Sequence, residues 1–169
     1  MTDISNHESA AGACPPLSPL ASGESGYSIF LSLEGVAGEC AVGDYSGWIQ
    51  VEEYTQTLCA SQAPRFTIAK RLDRCSPSIY GAVHSGRVFG SVVLEVCWGV
   101  KRGGRFLRIE MSDAVILEIN QSASTSSGHS RPVETLVLEN RRVQWIYTKP
   151  GEGQTSSIVE IRSTSCPPA

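Results

Sequence analysis

Apolar residues recur at every second position in segment after segment of this chain, and that period commits the backbone to strands. In "YSIFLSLE", Ile29, Leu31 and Leu33 alternate with Ser28 and Ser32, as in a strand with one buried face. "WIQVEEYTQ" starts the same way at Ile49 and Val51 and slips at Glu52-Glu53, where a one-residue bulge is expected. "FTIAK" is a further strand. "SVVLEVCWGV" places Val92, Leu94, Val96 and Trp98 on one face and Glu95 on the other. "KRGG" then turns into "RFLRIEM", with Leu107, Ile109 and Met111 inward, which predicts a hairpin. "AVILEIN", a Ser-rich loop from Gln121 to about Pro132, "ETLVLE" and "RRVQWIYT" follow, the last with Val143, Trp145 and Tyr147 on one face. About eight short strands joined by Gly-rich turns predict an all-β fold, an antiparallel barrel or sandwich.

One segment breaks the period. "KRLDRCSPSIYGAVHSGR", residues 70–87, predicts a single short α-helix. Ser76 reads as its N-cap and Pro77 as its first helical residue. Ile79 and Val83, four apart, share the buried stripe. Gly86 supplies the left-handed residue that ends it. Gly81 costs about 1 kcal/mol against Ala inside a helix, so tertiary packing must hold the element in place.

A chain of 169 residues suits one domain with a core large enough to fold without staples. Residues 1–26 are rich in Ser, Ala, Gly and Pro and read as a flexible tail. Residues 27–148 hold the barrel, and 149–169 form a terminal segment with a short strand at Ile158 to Arg162. "MTDISNHESAAGACPPLSPL" lacks the basic and apolar regions of a Sec leader, and no run approaches the roughly 18 apolar residues of a membrane span. The cysteines, at 14, 40, 59, 75, 97 and 166, include no CxxC pair, and the histidines, at 7, 84 and 129, do not cluster with them. A zinc ligand set is therefore not expected, and the thiols are expected free after folding in a reducing cytoplasm. Charge is uneven: residues 1–64 carry eight acidic side chains and no Lys or Arg, while all 14 basic residues follow. Opposite-signed halves suit head-to-tail self-association, unless strands of the two halves interleave.

Catalytic motifs are sparse. Glu52 and Glu53 point to opposite faces of a strand. Glu110 and Glu118 read as solvated residues of neighbouring strands. His84 closes the short helix, where the dipole favours a cation. His129, in the Ser-rich loop, lacks a positioned acid. Cys75, beside the helix start, reads as an inert thiol, and "KRGGR" as a solubilising tip rather than a phosphate loop. No catalytic, cofactor or metal site is expected, and no nucleic-acid partner or membrane insertion.

The order of motifs carries more. "FTIAKRLDRCSPSIYGAVHSGRVFGSVVLEV" resembles the core signature of the haemolysin-coregulated protein family, Hcp, the tube subunits of bacterial type VI secretion systems. The matching positions are Phe66, Lys70, Asp73, Ser76, Pro77, Ile79, Ser85 and Gly86. "FLRIEMSDAVILEI" looks like the family's long hairpin, and "ETLVLENRRVQWIYT" like its closing pair, from Glu134 to Tyr147. The resemblance implies a β-barrel flanked by one helix that forms hexameric rings. These rings stack into a tube inside a contractile sheath, with spike and baseplate partners and effectors in the lumen. It implies assembly in the cytoplasm and secretion without a cleaved leader. Phage tail tubes and extracellular contractile injection tubes share the fold, and a monomeric secreted β-barrel binding module is a further alternative. Against the family pattern, the connection "TLCASQAPR" is short, and the N-terminal extension and six cysteines are additions. Exposed thiols such as Cys59 are then candidates for cross-linking neighbours after export.

Overall fold

In the computed structural model, residues 26–98, 104–125, 131–149 and 155–162 are described. They form β1 (Tyr27–Leu33), β2 (Ile49–Thr57), β3 (Arg65–Arg71), α1 (Ser76–Ser85), β4 (Val88–Phe89), β5 (Val92–Trp98), β6 (Arg105–Ser122), β7 (Val133–Thr148) and β8 (Thr155–Arg162). One turn of 3-10 helix, Gly43–Tyr45, lies between β1 and β2. The tail expected at 1–26 lies outside the described residues except for Gly26, as do Lys101 to Gly103 of the "KRGG" turn and His129.

The strands run in the order β6-β5-β1-β2-β3-β7, and β7 pairs back onto β6 to close an antiparallel barrel. β4 and β8 attach outside that closed circuit, to β6 and β7 respectively. The all-β class, the barrel and the single α-helix agree with the alternation. The strand division does not. "RFLRIEM" and "AVILEIN" are one 18-residue strand, β6, which passes through Asp113 at φ 52. "ETLVLE" and "RRVQWIYT" are likewise one strand, β7, of 16 residues. Glu110 and Glu118 therefore share a strand rather than sitting on neighbours.

This long hairpin lets a two-sided structure close. Arg105 to Met111 of β6 pair with β5, whereas Ala114 and Val115 pair with β4. Val133 to Glu139 of β7 pair with β3, and its other half, Arg142 to Thr148, pairs with β8. Bulges bend the wall between Val51 and Glu53, where the sequence slips, and between Ile116 and Glu118. The interior is apolar: Leu31, Ile49, Phe66, Ile68, Leu94, Ile109, Leu136 and Val143 are sealed from solvent.

The α-helix packs beside β6 and drops Ile79 and Ala82 into the same core, with Val83 half-buried. Burying Ile79 contributes about 2 kcal/mol, which offsets the cost of Gly81. Gly86 ends the helix at φ 62, and the amides of Gly86 and Arg87 reach the carbonyls of Val83 and Ala82. The start differs from expectation. Cys75, not Ser76, holds the N-cap position, and Ser76 makes no capping bond to a helix amide. Instead Asp73 Oδ1 accepts the Cys75 N–H at 3.1 Å.

The acidic and basic halves interleave. β1 and β2 lie between β5 and β3, and Glu52 and Glu39 of the acidic half pair with Arg71 and Arg131. Sequence charge asymmetry is thus partly cancelled within the folded chain.

Candidate functional site: sealed polar clusters around the helix and the outer wall

Four residues of the sequence signature converge. Lys70 is the last residue but one of β3, Asp73 lies in the turn before α1, Ser76 opens α1, and Glu134 is the second residue of β7. Lys70 Nζ donates to Glu134 Oε2 (2.7 Å), Ser76 Oγ (3.0 Å) and the Arg71 carbonyl (2.8 Å). Asp73 Oδ1 lies 3.0 Å from the same ammonium. Ser76 Oγ donates to Glu134 Oε2 at 2.7 Å and accepts the Asp73 N–H at 3.1 Å. The Tyr80 hydroxyl donates to Glu134 Oε1. Lys70, Ser76 and Glu134 have no exposed surface. Asn140 Oδ1 is the one buried side-chain polar atom without a partner among the described residues, so this cluster is fully satisfied.

A serine hydroxyl beside a lysine has the layout of a nucleophile and its base, but a lysine base must be neutral. Burial alone would lower the Lys70 pKa; the hydrogen bond to Glu134 and the Asp73 charge outweigh it and hold it above the usual lysine range. The ammonium therefore keeps its proton, and no solvent reaches Ser76. The Cys75 thiol is pushed up to about 12 by burial and by its contact with Asp73, the opposite of an activated thiolate. What these groups do is bind: they fasten the helix start to β3 and β7, two strands brought together across the barrel wall.

The other signature residues lie apart. Phe66 is a sealed core residue, Pro77 sits exposed on the first helical turn, and Gly86 ends the helix. Tyr147 stands half-exposed near the end of β7. His84 is exposed in the last helical turn.

A second sealed group was not legible in the sequence. Glu95 faces outward from β5, yet it is fully buried. The Tyr45 hydroxyl donates to Glu95 Oε2 at 2.8 Å, Arg105 Nη1 donates to Oε1 at 3.0 Å, and Arg108 binds Oε1 as well. The Tyr45 ring stacks on Phe30 at 3.9 Å and meets Trp48 edge-on. Burial would raise the Glu95 pKa, but these hydrogen bonds prevail and hold it below the usual carboxylate range. The cover is the β1–β2 connection, residues 34–48, which Arg74 grips at the Gly38 carbonyl and Arg131 at Glu39. Gly38 passes so close to Trp48 that a Cβ would lie 2.1 Å from its carbonyl oxygen. The aromatic residues Tyr45 and Trp48 within a Gly-rich stretch were the only signal of this cover.

The family model described as "Type VI secretion system effector, Hcp" matches residues 30–147, a span that contains both clusters and all of the closed barrel except the first three residues of β1 and the last of β7. The chain belongs to the Hcp family. Solved structures agree in fold. Hcp1 from Salmonella typhimurium superposes with TM-score 0.72 at 21% identity, covering 80% of this chain and 94% of that one. A type VI secretion system effector from Yersinia pestis gives 0.67 at 18% identity, covering 79% and 96%. The secreted protein Hcp3 from Pseudomonas aeruginosa gives 0.61 at 15% identity, covering 82% and 98%. No curated protein matches. Membership makes this Hcp chain a component of type VI secretion. Within it, the Lys70–Asp73–Ser76–Glu134 cluster is where four spaced signature letters become one contact.

Among the described residues no group of His, Cys, Asp and Glu is arranged to hold a metal ion, and no helix is long and apolar enough to cross a membrane.

Proposed function

We propose that this Hcp chain is a structural tube subunit. Copies join as hexameric rings, the rings stack inside a contractile sheath, and the tube is ejected with effectors held in its lumen. The observation that carries the reading is the family match over residues 30–147. Its two polar clusters support it, because Lys70, Ser76, Glu134 and Glu95 at their centres are buried and hydrogen-bonded, and such groups fix shape rather than meet a substrate. The partners follow from that role: further copies of the chain, then sheath, spike and baseplate proteins. The subunit assembles in the cytoplasm and leaves the cell through the machine. Only residues 58–64 join β2 to β3, so ring formation and ring stacking are separate readouts in the micrographs.

Electron micrographs and native mass spectrometry of the purified full chain test this. Six-fold rings support it; a clean monomer across a wide concentration range would overturn it and favour a monomeric binding module. Export is tested by probing culture medium from cells with and without a working sheath. Equal amounts in both media would remove the ejected-tube role.

A further inference from the structure

Three aromatic rings meet at one end of the barrel, and two of them are open to solvent. Tyr27 opens β1 and lies directly opposite Trp98, the last residue of β5. Phe106 is the extra residue of a bulge, since Val96 faces Leu107 while Cys97 faces Arg105. A bulge re-aims the side chain it carries, and here the Phe106 ring lies 5.2 Å from Trp98 and 6.3 Å from Tyr27. Tyr27 is 6.2 Å from Trp98, and its ring stands at 79° and 87° to the other two, so the group has two walls. Phe106 packs on the barrel core, whereas Tyr27 and Trp98 are 60% and 40% exposed. Single exposed apolar side chains are ordinary; rings in mutual contact form a continuous apolar surface of the kind that partners cover.

The point where the chain enters this surface identifies the occupant. Residues 1–25, outside the described residues, join the barrel through Gly26, next to Tyr27 itself. They also lie outside the family match at 30–147, so membership assigns them no role. Within them stands "CPPLSPL", residues 14–20, with Pro16 and Pro19 three apart. Such a segment is predisposed to polyproline II, which has three residues per turn and places Pro16 and Pro19 on one edge about 9 Å apart. Leu17 and Leu20 share the adjacent edge, so two of the three edges are apolar and suit a two-walled surface. Proline-rich segments bind aromatic-lined surfaces at little ordering cost. The tether is long enough: the eight steps from Pro19 to Tyr27 span up to about 28 Å, and Gly23 and Gly26 permit a reversal. A short flexible tether also holds the segment at millimolar effective concentration, so weak contacts suffice.

We infer that Pro16 to Leu20 fold back onto the Tyr27–Trp98–Phe106 surface of the same chain, a site for proline-rich segments that the chain fills with its own. The contact lies within one chain and holds for monomer and ring alike.

Acrylamide quenching of tryptophan emission tests this on the full chain, with circular dichroism and thermal melts to verify folding. The variant Pro16→Ser/Leu17→Ser/Pro19→Ser/Leu20→Ser keeps the chain length and removes both apolar edges. Its emission should shift to the red and its quenching constant should rise above wild type, because Trp98 loses its cover. Trp98→Phe keeps a ring and removes the reporter, and in that background the same tail substitutions should change neither reading. A synthetic peptide of residues 13–22, added to the tail variant, should restore wild-type quenching saturably. Equal quenching in wild type and tail variant, a difference that survives in Trp98→Phe, or a peptide that restores no protection overturns the site. A difference between wild type and tail variant that vanishes on dilution assigns the surface to a neighbouring copy's segment and overturns the contact within one chain.

Discussion

Replacing Lys70 by Met removes the cation from beneath the helix and keeps most of its bulk. Glu134 and Asp73 then face one another with no positive charge between them, and Glu134 has no exposed surface. Breaking a buried pair from one side costs about 3–5 kcal/mol. At about 2–4 °C per kcal/mol for a chain of this size, the midpoint should fall by roughly 6–20 °C. Glu134→Gln should lie near the lower end, about 3 kcal/mol, because Lys70 keeps Asp73 and the Arg71 carbonyl. The double variant Lys70→Met/Glu134→Gln removes both charges, so its loss should be smaller than the sum of the single losses, with a coupling of about 2 kcal/mol. Urea unfolding at one fixed protein concentration measures all three, since assembly would otherwise shift the midpoint. Two single variants within about 0.5 kcal/mol of wild type, or losses that simply add, would refute the clamp.

The remaining predictions concern the other buried groups. Glu95 is depressed below its ordinary 4.5, so its stabilisation is present above that pH and lost as pH falls below it. Glu95→Gln should flatten the acid limb of a stability–pH curve, and an unchanged limb would exclude Glu95 as its source. Lys70 and Cys75 are raised, so their contributions are present below the ordinary values of 10.5 and 9.0 and are lost as pH rises through the folded values. Wild type should therefore lose stability from about pH 9 upward, and a flat alkaline limb would contradict the sealing of both groups. A maleimide should label Cys59, exposed between β2 and β3, in the folded protein while Cys75 and Cys97 wait for unfolding; early modification of Cys75 would contradict its burial. Gly86→Ala should destabilise by about 1–2 kcal/mol through its left-handed backbone, and Gly86→Asn by less, as thermal melts of the two would show.

Strands were legible wherever a burial boundary ran along a face, because alternation records it directly: Ile29, Leu31 and Leu33 read correctly from the sequence. Their lengths were not. Ser112-Asp113 and Asn140-Arg141 look like turn residues, yet β6 and β7 run through them, since each strand changes outer partner there without leaving the other. The helix was legible from Pro77, Ile79 and Gly86. Its cap was not, because the Ser76 hydroxyl is drawn to Glu134, 58 residues away in the chain. The same distance in sequence hid the clamp: Lys70 and Glu134 were legible as signature letters, but a spacing of 64 residues gives no sign of contact. Glu95 misled for a related reason. Alternation places it on the outer face correctly, but only the chain crossing above it, from Gly38 to Trp48, makes that face an interior. Pro at Val137 or Val143, which suggests itself as a test of edge-to-edge assembly, would break pairing inside the barrel instead, since both positions are paired on two sides.

Sedimentation velocity of the untagged full chain over a hundredfold range of concentration tests the tube-subunit claim most directly. The expected result is one dominant species at six times the mass of the 18.1 kDa chain. A single species at the monomer mass throughout that range would contradict it.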